Sequence, residues 1–351
     1  ANSGHVSITS VRSDGIAFTR TYHFSDCELK AGHISRIRID YRHPEDNYGL
    51  MYVRMLDFPV FKADTMFLAD EPRSVFYDKQ QRSFYVNAPL RVNISDDKKL
   101  RARFFSPATI RDVTILCRFN KQSTEYFELA HFDVVYPFME VSLPIPLLKS
   151  AQTFKSASGR HVSIPAQPDL SDADVTFAIR SEDPYMKKVE QISSRWHINF
   201  SAYTADKEGT DWAHMDPMLC RHGVTLAVNM AFMFSSPEFN EELQKYDGKL
   251  YDDRKNTISL NLLRRKISEH EGLVLGRVTG VGGLGAGTTY GLAKYVYELA
   301  YFDCETNLGA HTYSREAMFH EYGHCLGYGH DSNMTYGGAW TVLCANTYVN
   351  I

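Results

Sequence analysis

In VTILCRF (113–119) apolar and polar side chains alternate. Val113, Ile115, Cys117 and Phe119 fall on one face of a strand, with Thr114 and Arg118 on the other. The same period of two runs through RIRID (36–40) and MEVSLPI (139–145). Turn-rich stretches, YRHPEDN (41–47) and NISDDKK (93–99), separate these runs. No long period of 3.6 intervenes in the first 145 residues or so, and the pattern predicts an all-β sandwich.

Between Leu148 and Asp174 the composition shifts to Ser, Ala, Pro and Asp, which suits a linker or a loosely packed crossing. Beyond it the signals mix. DPYMKKVEQISSRW (183–196) reads as helix, GVTLAVNMAFMF (223–234) as a buried strand, and SPEFNEELQKY (236–246) as a helix capped by Ser236. These readings predict a multidomain chain. Residues 1–165 form an accessory β-sandwich domain, to which a propeptide role is open, and residues 166–351 form an α+β domain.

Composition narrows the function. At 351 residues with 44% hydrophobic and 23% charged positions, the chain has length for two domains and can bury a real core. Its net charge of −4 and the lack of any dense Lys or Arg run give no argument for a nucleic-acid partner. No apolar stretch reaches the roughly 20 residues of a transmembrane span. The opening ANSGHVSI has neither Met nor a signal-peptide core, so a removed leader or a trimmed chain is expected. The six cysteines are scattered without a CxxC pair and define neither a disulfide framework nor a thiolate metal site. Sequons stand at Asn93, Asn199 and Asn333. The last lies directly behind a histidine cluster, where a glycan is hard to accommodate, which favours a bacterial, non-glycosylating source.

That cluster, HEYGHCLGYGH (320–330), carries the chemistry. Ser314 can cap a helix through it, with Glu316 in the first turn, where the helix dipole favours an anion. On this helix His320 and His324 stand one turn apart on one face, so both rings can reach one ion at about 2.0–2.1 Å. Gly327 lets the chain leave the helix through a left-handed conformation, and the turn returns His330 as the third ligand. Three neutral imidazoles leave a fourth position for water, the arrangement of a catalytic Zn²⁺ site. The pKa of that water falls to roughly 7, so Glu321 can take its proton and pass it to a leaving amine. HExxHxxGxxH fixes five positions and arises by chance on the order of once in ten thousand such chains, which outweighs a reading as ordinary core histidines.

The stretch resembles the metzincin clan of zinc endopeptidases. The resemblance implies that Met334, in NMTYGG, forms an apolar floor beneath the histidines without binding the metal. The Met-x-Tyr spacing is similar to that of astacins and serralysins, which implies that Tyr336 is a fifth ligand and a stabiliser of the tetrahedral intermediate. Asp331 looks like the Asp of adamalysins, with a structural role in the turn. Two features depart from the clan. Three residues separate His330 from Met334, and 17 residues follow Met334, so the usual C-terminal subdomain is expected to shrink to little more than YGGAWTVLCANTYVNI. A gluzincin site needs a downstream glutamate, and no Glu follows Glu321. Asp331 as third ligand is the aspzincin alternative, but His330 stands in register and is a nitrogen donor that zinc accepts well.

Three other features compete for a role. Gly280-x-Gly282-x-x-Gly285 follows the strand-like GLVLGRVT and formally matches a dinucleotide fingerprint, but without a repeated βαβ pattern it reads better as a Gly-rich rim of the zinc cleft. A peptide could add there to an edge strand. His214, His222 and His311 read as surface or hydrogen-bonded histidines. Cys27, in FSDCELKAG, could block the metal from a propeptide, although the sequence does not match a matrixin cysteine switch. The resulting expectation is a secreted, cell-surface or periplasmic bacterial zinc endopeptidase with a protein or peptide substrate. A surface glycan or protein ligand is the partner class open to the N-terminal domain. The rivals are a zinc amidohydrolase on a non-peptide amide and a non-catalytic surface binding protein that keeps the scaffold.

Overall fold

A computed structural model describes residues 2–11, 17–27, 51–53, 66–121, 123–201, 212–301 and 308–348, with side chains described from residue 66 onward except those of 299–315. RIRID and YRHPEDN lie outside the described residues. VTILCRF forms the last seven residues of a ten-residue strand, Ile110–Phe119. It pairs antiparallel with Phe127–Val135 and Val175–Arg180, and Met51–Val53 adds parallel to Phe127–Val135. Thr114 is buried as well as Ile115 and Cys117, so this strand is covered on both faces. A second sheet runs Leu90–Ile94, Lys99–Phe104, Glu140–Pro144, all antiparallel, with NISDDKK as the turn of its first hairpin. Leu100 and Phe104 of the second sheet share one apolar cluster with Ile115, Cys117 and Phe132 of the first. A separate antiparallel hairpin joins Asn2–Val11 to Ala17–Cys27.

The Ser- and Pro-rich stretch expected to be a slack linker is instead folded. Gln152–Lys155 pairs with His161–Ile164, and Phe154, Ile164 and Leu170 are buried in the cluster just described. Its polar residues supply turns and a cap: Gly159 takes φ +86°, and Ser171 and Asp174 form a capping box. The division near residue 165 is crossed in both directions. Val175–Arg180 belongs to the first sheet, while Phe84–Tyr85 pairs with His197–Phe200. Met66, Phe76, Phe105 and Phe138 also pack into the C-terminal core. Pairing between distant segments leaves no mark in local composition, so a boundary drawn from composition misses it.

The C-terminal sheet has the order Gly283–Ala286, Thr289–Ala293, Gly272–Val278, His197–Phe200, Phe84–Tyr85, with Trp212–Ala213 pairing onto Gly272–Val278. The three inner strands are parallel and Gly283–Ala286 is antiparallel at the edge. GVTLAVNMAFMF is a helix, not the expected strand. It lies within Pro217–Ser235, capped by Asp216, whose Oδ1 accepts the Leu219 N–H at 2.8 Å. Twelve mostly apolar residues exceed an ordinary strand, and a helix buried nearly all round shows no amphipathic period. Ser236 caps Pro237–Gln244 through the Phe239 N–H, as read from the sequence. DPYMKKVEQISSRW is helical only over Pro184–Val189. Among the described residues no helix is long and apolar enough to cross a membrane.

Candidate metal centre

The histidines sit at the end of the helix Leu308–Cys325. It starts six residues before Ser314, so Ser314 is not its cap and Glu316 is not in its first turn. The helix stops as expected. Gly327 has φ +88°; its N–H donates to the His324 carbonyl at 2.9 Å, and the Tyr328 N–H donates to the Gly323 carbonyl at 3.1 Å. That pair of bonds is a Schellman motif, which closes the last turn and reverses the chain toward His330.

The three rings converge. His324 Nε2 stands 3.1 Å from His320 Nε2 and 2.9 Å from His330 Nε2. Tetrahedral bonds of 2.0–2.1 Å would set ligand nitrogens roughly 3.3 Å apart, so a small contraction separates this arrangement from ideal coordination. The tautomers follow from the other ring nitrogens. His320 Nδ1 faces the Thr335 carbonyl at 3.1 Å and His324 Nδ1 faces the Tyr328 carbonyl at 2.7 Å. A carbonyl only accepts, so both Nδ1 atoms carry the proton and both Nε2 atoms present lone pairs to each other. Burial holds both rings below the usual histidine range, which keeps them neutral. Lone pairs this close repel unless a cation lies between them, so the donor set fits a metal ion.

Glu321 lies beside this group and is 6% exposed. Burial pushes its carboxyl up to about 7, opposed by a hydrogen bond from the Gly285 N–H. That bond comes from the edge strand Gly283–Ala286, which crosses the histidine helix at contact distance. A Cβ on Gly283 would stand 2.3 Å from Glu321 Cγ, and one on Gly285 would stand 2.2 Å from the Glu321 carbonyl oxygen. Of the glycines that formally match a dinucleotide fingerprint, Gly285 is therefore required by close approach to a helix, as is Gly283 between them. The strand after them, Thr289–Ala293, forms a hairpin with Gly283–Ala286 and not a βαβ unit. Together they wall an open cleft of about 1040 Å³ that contains His320, Glu321, His324, His330 and Tyr336.

The bend after the helix is tied down by residues the sequence reading passed over. Asp253 Oδ2 accepts the Gly329 N–H at 2.8 Å, and Ser332 Oγ and Thr335 Oγ1 both donate to the Gly329 carbonyl at 2.7 Å. Lys255 Nζ donates to the Asp331 carbonyl. Among the described residues, Asp253 holds this turn through its carboxylate, whereas Asp331 contributes its backbone. No local signal marks Asp253, which is 76 residues from Gly329 in sequence. Met334 is fully buried, and its carbonyl passes so close to Gly323 that a Cβ there would stand 2.3 Å away. Tyr336 is 58% exposed, with its ring 4.6 Å from that of His320 and 4.7 Å from that of His330.

Other expected features sit elsewhere. His222 is buried on Pro217–Ser235, and His214 Nδ1 lies 3.5 Å from the Tyr77 hydroxyl. Neither belongs to the triad. The side chains of His311 and Cys27 lie outside the described residues. Cys117, Cys220, Cys325 and Cys344 are buried free thiols. Asn199 and Asn333 are 4% and 6% exposed, and Asn333 Nδ2 donates to the Lys249 carbonyl at 2.8 Å, so neither side chain is open to a glycan in the folded chain. Comparison with known proteins gives no match: no family model, no curated protein and no solved structure aligns with this chain.

Proposed function

We propose that this chain is a zinc-dependent endopeptidase of the metzincin kind, with His320, His324 and His330 as metal ligands, Glu321 as general base and acid, and an accessory β-sandwich formed by its N-terminal sheets. The observation that carries this reading is the convergence of three Nε2 atoms, those of His320 and His324 with their lone pairs turned inward, beside a buried carboxyl that has no cationic partner among the described residues. A structural site would be closed by a fourth protein ligand, and none joins this group among the described residues. When bound, Zn²⁺ supplies a Lewis acid that polarises the scissile carbonyl and acidifies water.

The chain's own residues do the rest. Glu321 accepts the proton of the attacking water at a carboxylate oxygen and returns it to the departing amine. The Gly285 N–H fixes that carboxylate, and burial raises its proton affinity above the usual carboxylate range. Tyr336 packs on two of the three imidazoles with an exposed ring, placing a phenol where it can steady a developing oxyanion. Met334 underlies the bend as buried apolar support. The edge Gly283–Ala286 supports an extended peptide lying along an open cleft. The test is metal analysis of the purified chain coupled to peptide-library cleavage. Cleavage should be abolished by chelator, restored by Zn²⁺ and lost in Glu321→Gln; cleavage that survives chelation would reject the assignment.

A further inference from the structure

Arg277 stands on the cleft wall with its charge unanswered among the described residues. Alternation along Gly272–Val278 puts it on the same face as Leu273 and Leu275, the face that the helices cover, with Leu275 against Gly223 of Pro217–Ser235. Leu273 and Leu275 are sealed, but Arg277 is next to last in the strand, where the cleft opens, and is half-buried there. Its Nε is buried without a hydrogen-bond partner, and its guanidinium makes no ion pair among the described residues. A guanidinium offers five donors in a planar fork and stays charged at any working pH. Two coplanar oxygens are the acceptor that matches it.

The remaining charges sharpen the selection. Lys294, also on the wall, has its Nζ 3.6 Å from Glu298 Oε1. Glu316 and Glu321 make the rest of the charged lining acidic. Apart from the metal that the hydrolytic reading places on the three histidines, Arg277 is thus the one cation on the described lining without an acidic neighbour.

We propose that the cleft selects substrates bearing a single carboxylate that pairs with Arg277. This rests on the hydrolytic reading above. The carboxylate can come from an Asp or Glu side chain or from a free chain terminus, and the fork recognises either.

The test uses the zinc-supplemented full-length chain and otherwise neutral peptides carrying Glu or Gln at one scanned position, each as free acid and as C-terminal amide. One position should show Glu cleaved with about tenfold higher kcat/KM than Gln, the scale of a charge-assisted hydrogen-bonded pair. The ratio should fall toward one in Arg277→Met and be partly kept in Arg277→Lys. A gain seen with the free acid alone assigns the carboxylate to the chain terminus. Equal cleavage of all members overturns the inference and leaves the hydrolytic reading intact. If nothing is cleaved, the hydrolytic reading fails, and binding of the labelled peptides to Glu321→Gln by fluorescence anisotropy decides the inference separately. Tighter binding of the carboxylate member, lost in Arg277→Met, sustains it; equal binding overturns it.

Discussion

The N-terminal sheets and the histidine cleft both bury charge, but they treat it differently. In the sheets, buried Glu128 meets Arg180 at 2.6 Å and Lys155 at 3.5 Å. In the cleft, Glu321 is buried against a backbone N–H alone, and His320 and His324 turn their lone pairs on each other beside His330. Compensated charge of the first kind serves the fold. Uncompensated charge of the second kind is unfavourable until something binds, which is why the second region, and not the first, is read as functional.

The contrast can be broken by mutation. His324→Ala should lower zinc affinity by more than about 100-fold, beyond the range of outer-shell changes, and abolish cleavage, as equilibrium titration against a chelating indicator would show. Glu321→Gln should keep the metal and lower kcat by about 10²–10⁴-fold. Asp253→Ala frees Gly329 without touching a ligand and should weaken zinc binding by about 10–100-fold. The opposite signature is expected from Arg180→Ala. It leaves Glu128 buried with only the longer Lys155 contact and should cost about 1–3 kcal/mol in chemical denaturation, with kcat/KM unchanged.

Proton linkage gives a finer test. The Glu321 carboxyl is raised from 4.5 to about 7, so in the metal-free protein its contribution to stability is full below pH 4.5 and is lost as pH rises through about 7. Glu321→Gln has no charge to bury. The melting temperature of metal-free Glu321→Gln should therefore exceed that of the wild type increasingly from pH 5 to pH 8, and a constant difference would contradict the burial argument.

The sequence made the cleft more legible than the frame around it. His320, His324, Gly327 and His330 are read from local geometry: one helical turn, one left-handed residue and one bend. The alternation in VTILCRF likewise marks a strand, because that pattern is local. What the sequence concealed depends on distant partners. Phe84–Tyr85 joins a sheet more than 100 residues onward, Asp253 reaches Gly329, and a mostly apolar twelve-residue run becomes a helix because its surroundings cover nearly all of it. The Gly280–Gly285 stretch lies between these cases. Its glycine content marks a close approach, but the side chain approached, Glu321, becomes visible only with the helix in place.

The central claim is that the three imidazoles and Glu321 form one cation-dependent hydrolytic site. Calorimetric titration of Zn²⁺ into the chelator-stripped full-length chain, with cleavage of a peptide library sampled at each addition, tests it most directly. Saturation at one ion per chain, with activity returning in proportion to occupancy and both lost in His320→Ala, is the expected result. Binding undiminished in His320→Ala, or a saturated site that leaves every peptide intact, would contradict it.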